Sequence, residues 1–227
     1  MSNQPMDNRT TIKIAGFFIL VALIVITISI LPLWHGTDEK NAASDALTDD
    51  DFDVVDYTYE DDSSNNVYVL VIRNNSNETV DIACNTSVYG KDDSFLGICY
   101  DAIESVAPEG YGCMQFTVDP SFAEYAARFE CQFDYEISDT PSRIKSVRTS
   151  DRQQENSVIA TVHNKGDQTV HGVRANILFF SKSQLVAYDT AYLANDDSLD
   201  LTPGLSAKHE FVCDQDFDSY EIYYTSK

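Results

Sequence analysis

The chain has 227 residues, with 37 acidic and 15 basic side chains and a formal charge of −22 at neutral pH. Residues 1–40 carry three acids and three bases, so the excess lies entirely beyond them. A surface of that sign repels DNA, RNA and anionic lipid headgroups, and no nucleic-acid partner is expected.

Residues 1–13 read as a short tail whose charge includes Arg9 and Lys13. Residues 14–34 read as a transmembrane signal-anchor helix. Ile14–Leu33 is an unbroken apolar run, about the length that crosses a ~30 Å hydrocarbon core, and Trp34 stands at the interfacial position. The acids that follow put the tail in the cytoplasm and the rest outside, a single-pass cell-membrane protein that meets lipid through residues 14–34. The competing reading is a signal peptide cleaved at Ala42-Ala43-Ser44, but the apolar run exceeds the usual 7–15 residues of such a segment.

Residues 35–64 read as an acidic, flexible linker, since eleven acids and one lysine fill Gly36–Asp62. Asp49-Asp50-Asp51-Phe52-Asp53 groups carboxylates that suit weak calcium binding, without the EF-hand spacing or its glycine turn.

From residue 65 the texture alternates with period two, the mark of half-buried strands. VYVLVIRN, the turn NNSNE and TVDIACNTSVYG are echoed about ninety residues on by SVIATVHN, KGDQ and TVHGVRANILFFS. Asn74 falls on Asn164, Tyr100-Asp101 meets Tyr188-Asp189, and Pro108-Glu109-Gly110 meets Pro203-Gly204. A repeat of this length is a domain duplication. The expectation is an all-β chain with two small antiparallel immunoglobulin-like β-sandwich domains, over 65–138 and 156–227, behind one N-terminal transmembrane helix. Residues 139–155 read as the interdomain linker. The wider stretch 138–156 holds Arg143, Lys145, Arg148 and Arg152, the one basic patch beyond the anchor, suited either to an acidic neighbour or to solvent. SFAEYAARFE suggests one or two helical turns, with Ser121 and Glu124 as a capping box.

The second copy resembles the FxLYD-type domain, a small immunoglobulin-like module of bacterial and archaeal envelope proteins. The resemblance rests on Val162-His163-Asn164-Lys165-Gly166, on Val173–Phe180 and on Leu201-Thr202-Pro203-Gly204 ahead of Phe211. The first copy is similar through Ile72–Ser76, Val80–Tyr89 and Pro108-Glu109-Gly110; Phe179-Phe180-Ser181 stands where the family has an aromatic–Asp pair. The resemblance implies no catalytic residue and no cofactor, and other immunoglobulin-like envelope modules share these features.

Four cysteines, Cys84, Cys99, Cys113 and Cys131, fall in the first copy on successive strands or their loops. Outside the membrane they are candidates for disulfides, each worth ~2–4 kcal/mol, with three pairings open; Cys213 is left over. In a reducing host all five read as core thiols. No metal site is expected. CxxC and HxxxH are absent, His163, His171 and His209 are scattered, and His209 and Cys213 stand far apart along a strand. GxSxG and glycine-rich phosphate loops are also absent. The chain therefore reads as a non-catalytic envelope module that binds a protein or envelope partner or acts as a spacer. Tyr125, Phe129, Phe133, Tyr135, Tyr220, Tyr223 and Tyr224 are the candidate aromatic faces. The alternatives are an accessory or sensor subunit acting through its span, and a secreted ligand-binding domain pair.

Overall fold

Valine, isoleucine, tyrosine and threonine at alternate positions put side chains on two faces of an extended backbone, and strands result wherever one face is covered. The computed structural model describes residues 47–227, apart from 62, 64, 117, 119, 120, 123, 124 and 196. The anchor expected at 14–34 lies outside the described residues, and among those described no helix is long and apolar enough to cross a membrane. The described chain is all-β, with antiparallel sheets.

The first half contains β1 (Phe52–Glu60), β2 (Asn66–Asn74), β3 (Val80–Gly90), β4 (Phe95–Val106), β5 (Tyr111–Phe116) and β6 (Ala126–Ile137). They form two sheets, ordered β1-β2-β5 and β4-β3-β6. The second half contains β7 (Val147–Gln153), β8 (Ser157–Asn164), β9 (Val170–His171), β10 (Arg174–Ser181), β11 (Gln184–Tyr192), β12 (Asp200–Leu201), β13 (Ser206–Val212) and β14 (Ser219–Thr225). Its main sheets, β7-β8-β13 and β11-β10-β14, repeat the order of the first half, with β9 and β12 as a short extra pair. Each half is β-sandwich-like. Leu70, Ile72, Met114 and Phe116 meet Val80, Ile82, Cys84 and Ile103 in the first. Val158, Ala160, Val162 and Phe211 meet Ala175, Ile177 and Phe179 in the second.

The repeat extends to single hydrogen bonds. Asn74 is fully buried at the end of β2, where its Nδ2 donates to the carbonyls of Glu78 and Val106 and its Oδ1 accepts from the Ser76 N–H and hydroxyl. Asn164, equally buried at the end of β8, donates to the carbonyls of Gln168 and Leu201 and accepts from the Gly166 N–H. Each also binds the far turn through its backbone: Glu109 donates to the Asn74 carbonyl and Gly204 to that of Asn164. Both turn residues have positive φ, +62° for Glu109 and +75° for Gly204.

Two strands depart from simple alternation. β2 buries Val67 through Ile72 without interruption, and β10 buries Ala175 through Phe180. Alternate residues of each face the home sandwich. The others face the other half, where Val67, Val69, Val71 and Cys113 meet Leu178, Phe180, Leu185 and Tyr188, with Tyr57, Tyr59 and Tyr223 around them. Four sheets therefore stack in the order β4-β3-β6, β1-β2-β5, β11-β10-β14, β7-β8-β13, and residues 47–227 fall in one compact unit. Continuous apolar strands are what burial on both faces requires.

Two expectations are corrected. The acidic stretch 35–64 is not a spacer throughout, because β1 pairs along its whole length with β2 and contributes Phe52 to the core. The interdomain stretch 139–155 contains β7, fully paired with β8. Both are edge strands held by backbone bonds, with Phe52 and Val147 their only fully buried residues, so neither shows an apolar period. After Pro120, where one or two helical turns are expected, the Tyr125 N–H donates to the Phe122 carbonyl before β6 begins at Ala126; Glu124 lies outside the described residues.

Two outcomes follow. Asn74→Ala and Asn164→Ala each strand buried carbonyl and N–H groups, and each should lower unfolding free energy in urea by about 2–4 kcal/mol. Tyr188 and Tyr100 occupy equivalent register positions, yet Tyr188 is 7% exposed and Tyr100 65%. Tyr188→Ala should cost ~3–5 kcal/mol and Tyr100→Ala within ~0.5 kcal/mol, both read from denaturant melts.

Candidate functional site

The outer face of the β4-β3-β6 sheet carries the largest exposed apolar side chains on a strand edge. Phe95 is 59% exposed, and Ile98 and Tyr100 are each 65% exposed, all on edge strand β4. Their register partners on β3 are Tyr89, Ser87 and Asn85, and β6 continues the rows with Arg128, Glu130 and Gln132. Farther along, β6 adds Asp134 and Glu136, both exposed. Arg128 lies over the Tyr89 ring at 4.1 Å and pairs with Asp93 and Glu130, which closes one end of the face. The face is thus an apolar strip along a sheet edge beside an acidic column, a pattern suited to an extended or flat partner.

A second concavity runs along the junction of the halves. Pro108, Glu109, Tyr111, Ile144, Lys145 and Tyr223 line a groove of about 490 Å³. The Tyr111 and Tyr223 rings are 4.8 Å apart across it, and the Tyr223 hydroxyl donates to Glu221 at 2.6 Å. Burial, then that bond, pushes the Tyr223 hydroxyl well above the ordinary phenol range.

The cysteines divide between two environments. Cys84, Cys99 and Cys131 face the first core, whereas Cys113 faces the second half through the opposite side of its sheet. Cys113 thus packs in a different cluster from the other three. Cys84, Cys113 and Cys131 carry free thiols. Thr86 stands between two thiols, its Oγ1 3.4 Å from Cys84 Sγ and 3.5 Å from Cys131 Sγ, and the Tyr68 hydroxyl lies 3.6 Å from Cys131 Sγ. Hydrogen bonds from Cys84, Thr86 and Tyr68 converge on Cys131 and pull its thiol below the ordinary value, while Cys84, as donor in a buried place, is pushed up. Burial also raises Cys113. Cys213 is buried after β13, its N–H donating to the Asn156 carbonyl.

The other singled-out residues have local structural roles. Phe129 stacks on Tyr68 at 4.2 Å and Tyr135 on Phe52 at 4.0 Å, while Phe133 packs against the first core. Tyr220 and Tyr224 pack against the second core. Tyr220 also donates to Asp151, which with burial pushes its hydroxyl up to about 12. Of the seven rings proposed as faces, Tyr125 alone is largely exposed, at 56%. The Asp51 carboxylate is engaged in a capping box with Thr48. His163 is bonded to Ser206, His171 to Asp200, and His209 packs on Phe211. No three of His, Cys, Asp and Glu could hold a metal among the described residues. Arg143 donates to Gln168 of its own half, so the contact between halves is made by the two inner sheets rather than by this arginine. The exposed strip on β4 escaped the sequence reading because Ile98 and Tyr100 alternate like any strand and a bulge brings Phe95 to the same face; Ile98 and Tyr100 fall opposite the polar Ser87 and Asn85, and Phe95 opposite Tyr89.

No protein-family model matches the chain, and no curated protein matches it. Among solved structures, red sea bream transglutaminase is similar at 8% identity and a TM-score of 0.24, over 80% of this chain and 29% of that one. The chain thus spans under a third of that enzyme's length, and a likeness of this degree carries no argument about fold or activity.

Because the thiolate is the nucleophile, Cys131 should react with iodoacetamide ahead of Cys84 and Cys113 at neutral pH. Thr86→Val removes a donor to the thiolate, which raises the Cys131 pKa. The pH profile of its alkylation, mapped by peptide mass spectrometry, should move to higher pH, with a several-fold slower rate at pH 7.

Proposed function

We propose that this is a non-catalytic, membrane-anchored protein of the cell envelope that binds a partner and carries it at a distance from the lipid. In this reading residues 14–34 span the membrane and the β halves stand outside it. Each half is an immunoglobulin-like sandwich of the FxLYD type, and the partner is a protein or another envelope component.

The observation that supports it is the fusion of two repeats through their inner sheets. A stack of four sheets at the usual ~10 Å spacing is a stiff body, with side-chain packing instead of a hinge at its middle. Such a body suits a spacer, and the strip of Phe95, Ile98 and Tyr100 offers it a place to bind.

Alkaline carbonate extraction should leave the full chain in the membrane pellet and release a variant lacking residues 14–34. Protease added to intact cells should digest the β region. A native pull-down from its own membranes, run beside residues 36–227, should recover one partner with both forms. A partner held by the full chain alone would overturn this reading in favour of an accessory subunit acting through its span.

A further inference from the structure

The two halves share one topology but meet through different faces. The first uses the outer side of β1-β2-β5; the second uses the outer side of β11-β10-β14, whose counterpart in the first half is β4-β3-β6. The contact is therefore head-to-tail, and head-to-tail contacts leave one complementary face unused at each end. Those faces are the outer sides of β4-β3-β6 and of β7-β8-β13.

Register shows what occupies each position at the ends. With Asn74 on Asn164, Val71 corresponds to Thr161, Cys113 to Lys208 and Tyr57 to Arg152. With Tyr100 on Tyr188, whose following aspartates each cap the next N–H in the same way, Leu178 corresponds to Asn85 and Tyr223 to Asp134. At the internal junction Cys113 lies in the same cluster as Tyr223, close enough to add to the rise of the Tyr223 hydroxyl that burial and Glu221 cause. At the ends the same two positions are Lys208 and Asp134, both exposed. The tail face also presents Arg148 and Arg152, local cations in a chain of charge −22. The head face presents Glu130, Asp134 and Glu136 beside the exposed Ile98 and Tyr100.

We propose that a second copy of this chain docks its β4-β3-β6 face onto the β7-β8-β13 face of the first, repeating the internal junction with ion pairs in place of its apolar contacts. β7 would lie over β4 as β1 lies over β11, which sets Arg152 against the Ile98–Glu130 row. β13 would lie over β6 as β5 lies over β14, which sets Lys208 against Asp134. The contact differs from the internal one in strength, because exposed ion pairs are weak and screened. It is independent of where the chain resides, so the anchoring proposal and this one fail separately.

The test uses the full chain in detergent micelles and sedimentation velocity. Association should rise with concentration without stopping at a dimer, and weaken about tenfold between roughly 50 and 500 mM salt. Asp134→Lys alone and Lys208→Asp alone should each abolish self-association. An equimolar mixture of the two variants should restore open-ended association of strictly alternating copies, since between unlike variants the reversed pair and the native Lys208–Asp134 pair both match; that rescue also shows both variants fold. A double variant carrying both changes should self-associate like the parent. Carbodiimide should join Lys208 of one copy to Asp134 of another. A parent chain that stays monomeric up to about 1 mM, a limit near −4 kcal/mol, would overturn the proposal. So would an association that either single reversal leaves intact, or a mixture that fails to recover.

Discussion

The contact between β1-β2-β5 and β11-β10-β14 is the constraint on which the rest of the described chain depends. It demands that two strands be apolar on both sides, which is why β2 runs Val67-Tyr68-Val69-Leu70-Val71-Ile72 and β10 runs Ala175 to Phe180 with only Asn176 polar. Asn176 is tolerated there because the Tyr188 hydroxyl donates to its Oδ1 at 2.9 Å. An apolar face of this kind, left open, would be an association hazard. Here each half supplies the cover for the other.

Against that shared face, the repeat has diverged position by position while keeping its turns. Asn74 and Asn164 close equivalent loops with equivalent bonds, although the loops around them read NNSNE and NKGDQ. Their side chains satisfy carbonyls that no strand partner reaches, a job that needs a donor and an acceptor at fixed places in a buried site. By contrast, the outward positions of the sheets vary freely between apolar and charged, according to whether a neighbour covers them. Val71 and Thr161, or Cys113 and Lys208, are the same place in the fold in two different settings.

Much of this architecture was legible in the residues. Strand texture in VYVLVIRN, TVDIACNTSVYG, SVIATVHN and TVHGVRANILFFS marked β2, β3, β8 and β10, and the paired asparagines aligned the copies in a register that the hydrogen bonds match. The first strand of each half was not legible. Phe52-Asp53-Val54-Val55-Asp56 and Val147-Arg148-Thr149-Ser150-Asp151 are edge strands, whose place is set by a neighbour's backbone rather than by their own apolar side chains. Nor did the cysteines reveal their division, since alternation alone does not say which side of a sheet a second domain will cover. The unbroken apolar run of β2 did contain that information, because only a strand with both faces buried needs it. The exposed strip on β4 was hidden for the opposite reason, being an ordinary alternating strand until its neighbours are known.

The same junction has a consequence for how the chain is made. Synthesis releases β2 long before β10, and the residues that join them, 67–71 on one side and 178–188 on the other, lie far apart along the chain. Throughout that interval the first half can close its own core but keeps its valine face and Cys113 in water. Domains form in order as they emerge, and surfaces that wait for a later partner are the ones that misassemble. The acidic excess of the chain, a formal charge of −22, places like charges on every nascent copy. Mutual repulsion between unfinished chains then guards the open face until the second half arrives to cover it.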